Sequence, residues 1–196
     1  MVKEYFECRF SGSGGQGIML IGYILSVAAG VYEEKNVVQT RSYGPEARGS
    51  ACKTEVIVSL DPIDYLQVTQ PDFLLALTQE SFDKYNNDLK ENGLVLIDPN
   101  YVQPTGLSSK NIKVCKVPLI KIAMSQAGSA VAANVVSLGV MGALTGVVCE
   151  KSLEKAVRDT SPYGTVDSNL QALAAGYEVA LKDDMAGYYK KEDSHC

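Results

Sequence analysis

The chain has 196 residues, 46% of them hydrophobic, and a formal net charge of -5. This length supports one core that buries about 70% of the unfolded surface, and the composition is that of an ordinary soluble protein. Because the charge is acidic and the basic residues are scattered, nucleic acid is not expected as a partner.

The first predicted elements are a strand at residues 4–10 and a helix at residues 18–31, joined by a glycine-rich turn. Glycines let the backbone turn tightly and approach a ligand, while the helix directs its N–H groups and positive dipole end at the turn. The pattern predicts a phosphate cradle, with a plain turn that binds nothing as the alternative. The candidate binding residues are Gly12, Gly14, Gly15, Gln16 and Gly17.

A second strand is predicted at residues 36–40. In a dinucleotide-binding Rossmann unit, an Asp or Glu about 20 residues beyond the glycines binds the ribose hydroxyls. Gln39, Thr40 and Arg41 occupy that place here, so NAD is disfavoured. Arg41 leaves NADP as a weak alternative.

The next segment, residues 41–50, concentrates charged and aromatic side chains around a Gly-Pro turn. Arginines in such a loop favour an anion or the acidic surface of a partner. The alternative is an internal Arg-Glu pair that rigidifies a surface loop. The candidate site residues in this segment are Arg41, Tyr43, Glu46 and Arg48.

Short apolar strands alternate with helices along the middle of the chain, and this pattern predicts an α/β fold: a Rossmann-like three-layer sandwich with a mostly parallel sheet. Ligands bind such sheets outside the carboxyl ends of the strands, so the loops there are expected to share one rim. The further predicted strands are residues 53–59, 73–77, 93–98 and 112–118, and the predicted helices are a short piece near 62–67 and residues 79–91, with Thr78 as N-cap. The rim would hold the glycine turn, residues 41–49, 78–80 and 98–100.

A helix near Ala130 to Cys149 is predicted to be apolar all round, because no charged residue occurs between residues 122 and 149. Interrupting polar residues and glycines argue against a membrane span. Such a helix is covered on all sides, either in the middle of the fold or at a subunit interface. The interface is favoured, so self-association through this helix is expected.

Two more helices, at residues 152–160 and 166–181, complete a single α/β domain over residues 1–181. Residues 182–196 form a polar C-terminal tail. The chain opens without an apolar stretch of the secretory type, so we expect it in the cytoplasm.

Neither the five cysteines nor the single histidine indicates chemistry within this chain. The cysteines are dispersed without a Cys-x-x-Cys motif, which disfavours an iron-sulfur or zinc site and predicts free thiols. His195 lies second from the end of the sequence, which argues against a Ser-His-Asp or Cys-His system. We therefore expect no catalytic residue and no metal ligand here.

Three stretches resemble the gamma subunit of the 2-oxoacid:ferredoxin oxidoreductases. They are the glycine turn at residues 12–17, the loop Ser42-Tyr43-Gly44-Pro45-Glu46-Ala47-Arg48-Gly49, and Asn134-Val135-Val136-Ser137-Leu138-Gly139. The glycine turn is common to many nucleotide folds, whereas the Tyr-Gly-Pro-Glu-x-Arg-Gly loop at this distance is more specific. Ser50 departs from the pattern, where a second glycine is expected.

The resemblance implies a role in oxidative decarboxylation of a 2-oxoacid with coenzyme A, giving an acyl-CoA, carbon dioxide and electrons for ferredoxin. It implies that alpha and beta subunits carry thiamine diphosphate and magnesium, and that other polypeptides, such as a ferredoxin-type delta subunit, carry the iron-sulfur clusters. The glycine turn is then a candidate contact for a coenzyme A phosphate or for a neighbouring subunit. Residues 46–53, with Asp64 and Tyr65, look more like the 2-oxoglutarate branch than the pyruvate branch.

Two alternatives stay open at this point. One is a stand-alone oxidoreductase that binds NADP through the glycine turn. The other is a purely scaffolding subunit whose glycine turn contacts only protein.

Overall fold

A six-stranded sheet forms the centre of the computed structural model, which describes residues 5–43, 51–107 and 111–182. The strand order across the sheet is β2-β3-β1-β4-β5-β6. The pairs β1-β4, β4-β5 and β5-β6 are parallel, whereas β3 is antiparallel to both β1 and β2. Only β3 opposes the other strands, which confirms the mostly parallel sheet. The strands are β1 (Tyr5–Ser13), β2 (Asn36–Ser42), β3 (Ala51–Ser59), β4 (Phe73–Ala76), β5 (Leu94–Ile97) and β6 (Lys113–Lys116).

Helices cover both faces of the sheet. Side chains alternate along β4, so that Phe73 and Leu75 pack into the larger core with α1, α3, α4, α5 and α6, while Leu74 and Ala76 pack against α2 on the other face. This arrangement confirms the three-layer sandwich. The helices are α1 (Ile18–Val27), continued by a π-helical turn (Ala28–Tyr32), α2 (Gln79–Tyr85), α3 (Leu119–Ala127), a 3-10 turn (Ala130–Ala132), α4 (Ala133–Thr145), α5 (Glu150–Thr160) and α6 (Val166–Lys182).

Two helix predictions need correction. The short helix predicted near residues 62–67 does not form, because this segment is organised by a buried carboxylate: Glu7 accepts hydrogen bonds from the Tyr65 hydroxyl at 2.6 Å and from the N–H groups of Thr69 and Gln70. Helix α3, by contrast, was not predicted. Helix α2 begins as expected, with Thr78 accepting from the Ser81 N–H, but it ends at Tyr85.

The apolar helix α4 is buried within this one chain. It crosses α6 at two glycines: a Cβ on Gly139 would lie 2.2 Å from the Leu173 carbonyl oxygen, and a Cβ on Gly176 would lie 2.1 Å from the Val136 carbonyl oxygen. The two backbones are therefore in direct contact. The favoured prediction, that a subunit interface covers this helix, is wrong, because α6 and the rest of the core already do so.

In the described ranges no helix combines the length and the apolar character needed to cross a membrane. The predicted polar tail at residues 182–196 lies outside the described residues, except for Lys182, the last residue of α6.

Candidate functional site

One rim of the sheet collects the predicted loops. Strands β1, β2, β4 and β5 all end at this rim because they run in the same direction. The antiparallel strand β3 begins there, since Ser13 pairs with Ala51 and Ser42 pairs with Lys53. The glycine turn, the start of α2 and the segment after β5 therefore lie along one edge, as the sequence predicts.

The glycine turn is shorter than the motif that predicts it, because β1 continues through Gly12 to Ser13. A reciprocal clasp then closes the turn: the Ser13 N–H donates to Gln16 Oε1 at 2.7 Å, and the Gln16 N–H donates to the Ser13 carbonyl at 3.2 Å. A Cβ on Gly12 would lie 2.5 Å from that same Gln16 oxygen. Gly12 and Gln16 thus maintain the shape of the turn.

The outward-facing residues of the turn are Gly14 and Gly15, which are both exposed. Gly15 has a φ of 93° and Gly17 a φ of 70°, backbone conformations that favour glycine. Gly17 is the N-cap of α1, whose first turn contains no acidic residue. An exposed backbone therefore meets a helix N-terminus with no carboxylate in its first turn, which suits an anionic ligand.

A buried asparagine links this turn to α4. Asn134 Nδ2 donates to the Gly17 carbonyl at 3.1 Å, and a Cβ on Gly17 would lie 2.1 Å from the same nitrogen. The fold thereby joins the first and third of the motif stretches. The sequence does not predict this contact, because the two residues are 117 positions apart. Residue 134 is singled out in the sequence only because it belongs to a stretch that resembles the family.

Arg41 and Tyr43 lie at the end of β2, which β3 separates from the glycine turn on β1. Arg41 donates to Gln39 Oε1 at 3.1 Å, and its guanidinium carbon lies 6.0 Å from the centre of the Tyr23 ring on α1. Tyr43 is 71% exposed. Arg41 is thus held against the outer side of α1. The predicted site residues Glu46 and Arg48 lie outside the described residues.

Helix α2 fastens the start of β3 beside the turn. Glu80 Oε1 accepts from the Ala51 N–H at 3.1 Å, and the Tyr85 hydroxyl donates to the Ala51 carbonyl at 3.5 Å. On the other side of the rim, the buried Asp98 accepts from the N–H groups of Asn100 and Ile120, both at 3.0 Å. These carboxylates hold backbone in place, a role that the sequence did not reveal.

Charged groups beneath the rim are paired rather than poised for proton transfer. The buried Arg9 donates to Glu55 at 2.7 Å and to Asp88 at 2.9 Å, and Lys53 also contacts Glu55 at 2.7 Å. Burial lowers the pKa of Arg9, but the hydrogen bonds to Asp88 and Glu55 and the negative charges of these two groups together raise it by more. This network ties β1 and β3 to the segment that follows α2.

The cysteine thiols in the described part of the chain are buried, which does not favour redox chemistry. Cys8, Cys52 and Cys115 are buried and not disulfide-bonded, and burial raises the pKa of Cys8 and Cys52, which keeps these two protonated. Cys149 is disulfide-bonded, so the prediction of a free thiol is wrong at this position. Among residues 5–43, 51–107 and 111–182, no group of His, Cys, Asp and Glu side chains is arranged to hold a metal ion. His195 lies outside them.

Comparisons with known proteins agree on one family. The family described as pyruvate ferredoxin/flavodoxin oxidoreductase matches residues 7–179. The 2-oxoglutarate synthase subunit KorC of Methanocaldococcus jannaschii is 46% identical, with 91% of this chain and 96% of that protein aligned. The pyruvate synthase subunit PorC of Methanothermobacter marburgensis is 31% identical, with 88% of this chain and 96% of that protein aligned.

A solved structure has the same fold over nearly its whole length. It is the gamma subunit of a keto/oxoacid ferredoxin oxidoreductase from Geobacter sulfurreducens, with a TM-score of 0.80 and 46% identity, covering 91% of this chain and 97% of that one.

Proposed function

Since this chain belongs to the pyruvate ferredoxin/flavodoxin oxidoreductase family, as a gamma subunit of a 2-oxoacid:ferredoxin oxidoreductase, we propose that its complex acts on 2-oxoglutarate. The reaction would consume 2-oxoglutarate and coenzyme A and release succinyl-CoA and carbon dioxide, with the electrons passing to ferredoxin. The observation that carries this choice of substrate is the 46% identity to a 2-oxoglutarate synthase subunit, against 36% for a ketoisovalerate oxidoreductase subunit and 31% for a pyruvate synthase subunit.

The chemistry itself belongs to partner subunits in this proposal. Alpha and beta subunits would carry thiamine diphosphate and magnesium, and a ferredoxin-type delta subunit would carry the iron-sulfur clusters. Two features of this chain support that division: Glu80 and Asp98 at the rim are engaged in structural hydrogen bonds, and Cys8 and Cys52 are buried thiols whose pKa burial raises.

The contribution of this chain would be to contact coenzyme A through the glycine turn. The exposed Gly14 and Gly15 would approach a phosphate group, while Gly12, Gln16 and Gly17 hold the turn in shape. Arg41, Tyr43, Glu46 and Arg48 would contribute at the neighbouring loop, to the same ligand or to a subunit placed over it. Support comes from the left-handed backbone at Gly15 and Gly17 and from the acid-free first turn of α1.

A surface suited to partner subunits lies next to this turn, on the outer side of α1. Residues 18–32 contain no charged side chain, although this segment is partly exposed: Tyr23 on α1 is 45% exposed, and Val31 in the π-helical turn that continues α1 is 66% exposed. Exposed apolar surface of this kind is typical of protein interfaces. We assign this side of α1, rather than the buried α4, to contact within the complex.

The experiment is purification of the tagged chain from its native cells, followed by assays of ferredoxin reduction. We expect co-purification of thiamine-binding and ferredoxin-type subunits, a brown colour that is lost when the chain is isolated, and activity that needs both 2-oxoglutarate and coenzyme A. A complex that prefers pyruvate would contradict the substrate. Recovery of the chain alone, with turnover of its own, would contradict the proposed role.

A further inference from the structure

Asn134 is a buried polar side chain at the start of α4, and it is only 2% exposed. Its Nδ2 donates to the Gly17 carbonyl at 3.1 Å, and its Oδ1 accepts from the Val135 N–H at 2.6 Å. Because both ends of the amide are engaged, the side chain is fixed in one orientation. The helix that carries it is itself clamped against α6 at Gly139, so the amide projects from a rigid base.

The peptide that receives this hydrogen bond controls where α1 begins. The Gly17 carbonyl also accepts from the Leu20 N–H at 3.1 Å and the Ile21 N–H at 3.4 Å. Gly17 has φ 70° and ψ 23°, a left-handed conformation that turns the chain from the glycine turn into the helix. The orientation of this peptide therefore sets the direction in which the N–H groups at the start of α1 point.

We infer that Asn134 is a positioning residue for the glycine turn: through the Gly17 carbonyl it orients the start of α1 toward the phosphate of coenzyme A. This inference rests on the proposed function. Asn134 is buried behind Gly17 and acts through it, with no contact to the ligand itself. It also gives a role to Asn134, the first residue of the third motif stretch, to which the proposed function gives none.

The test uses the assembled complex carrying Asn134→Asp or Asn134→Ala. The Asp variant keeps the size of the side chain but loses the N–H donor, whereas the Ala variant removes the amide. Asn169→Ala is the matched control, because Asn169, in the first turn of α6, is also buried and donates from its amide to Ser161 at 3.0 Å. The measurements are KM for coenzyme A, KM for 2-oxoglutarate, kcat, and hydrogen exchange of the amides at residues 17–21.

Both Asn134 variants are expected to assemble, to raise KM for coenzyme A by about tenfold, and to leave KM for 2-oxoglutarate within about twofold. Faster hydrogen exchange at residues 17–21 should accompany the rise, and Asn169→Ala should show neither effect. An unchanged KM for coenzyme A, an equal rise in the Asn169→Ala control, or failure of Asn134→Asp to assemble would each overturn the inference.

Failure of the proposed function gives a different result. If Gly14→Asp leaves KM for coenzyme A unchanged in an assembled complex, the glycine turn does not contact a phosphate, and the proposed function of the turn is lost. If Gly14→Asp raises that KM while the Asn134 variants do not, the turn keeps its function and only the positioning role of Asn134 is excluded.

Discussion

Replacing Gly14 with aspartate tests whether the glycine turn binds an anion. Gly14 is exposed, and its φ is not among the positive values of the described residues, so a side chain here brings no strain of the left-handed kind. The repulsion between a carboxylate at this position and a phosphate held by the turn can be worked for a charge separation of about 5 Å. Coulomb's law then gives a repulsion of about 1 kcal/mol in water-like surroundings and about 3 kcal/mol at an effective dielectric constant near 20.

These energies correspond to a fall in affinity for coenzyme A of about fivefold to about 150-fold. The assay is titration of the complex with coenzyme A at low and at high ionic strength, with Gly14→Asn as the uncharged control of the same size. The Asp variant should bind more weakly than the Asn variant, and the difference should shrink as salt screens the charges. Equal losses in both variants, independent of salt, would mean that size rather than charge matters and would refute the electrostatic reasoning.

Three further predictions concern packing, titration and assembly. In Gly139→Ala the added Cβ would meet the backbone of α6, so this variant should destabilise the chain by about 3 kcal/mol and lower Tm by about 6 to 12 °C. In Gly30→Ala the added Cβ would make only ordinary van der Waals contacts, so this variant should change Tm little in the same thermal scan. Tyr177→Phe should raise stability by about 1 kcal/mol at neutral pH, because the Tyr177 hydroxyl is, among the described residues, the buried side-chain polar atom without a hydrogen-bond partner. Burial, and then the charges of nearby glutamates, raises the pKa of the Tyr177 hydroxyl in the folded chain, so the unfolded chain loses this proton at a lower pH. Above about pH 10 the wild-type chain should therefore lose stability relative to Tyr177→Phe, which alkaline denaturation of the two proteins would measure. Tyr23→Glu should cut recovery of partner subunits by at least about tenfold in co-purification, whereas the fully exposed Tyr163→Glu should not; equal recovery would exclude the outer side of α1 as the interface.

The sheet could be predicted from sequence because its central strands are buried on both faces. Such strands are short apolar runs, as at Phe73–Ala76 and Leu94–Ile97, and the flanking turn residues mark their ends. The direction of β3 is not encoded in the same way. A strand-forming sequence reads alike in either orientation, so only the pairing of Ala51–Ser59 with β1 shows that β3 runs against its neighbours.

The errors arise where long-range contacts decide the local structure. The segment around Tyr65 has a helix-like composition, yet the buried carboxylate of Glu7, distant in sequence, takes up the N–H groups of Thr69 and Gln70. The covering of α4 is a similar case. Its glycines predict close approach by another backbone, but nothing local indicates that the approaching backbone belongs to α6 of the same chain.

The glycine motif divides into two kinds of residue, and this division explains why its spacing alone does not identify a ligand site. Gly12, Gln16 and Gly17 are needed whether or not anything binds, because side-chain atoms of Gln16 and Asn134 occupy the space a Cβ would need at the two glycines. Gly14 and Gly15 are both exposed, and a Cβ on Gly15 would meet nothing within 4 Å. A neutral side chain and a charged side chain of equal size at residue 14 therefore distinguish a phosphate site from a plain turn, and substitutions at the inner residues do not.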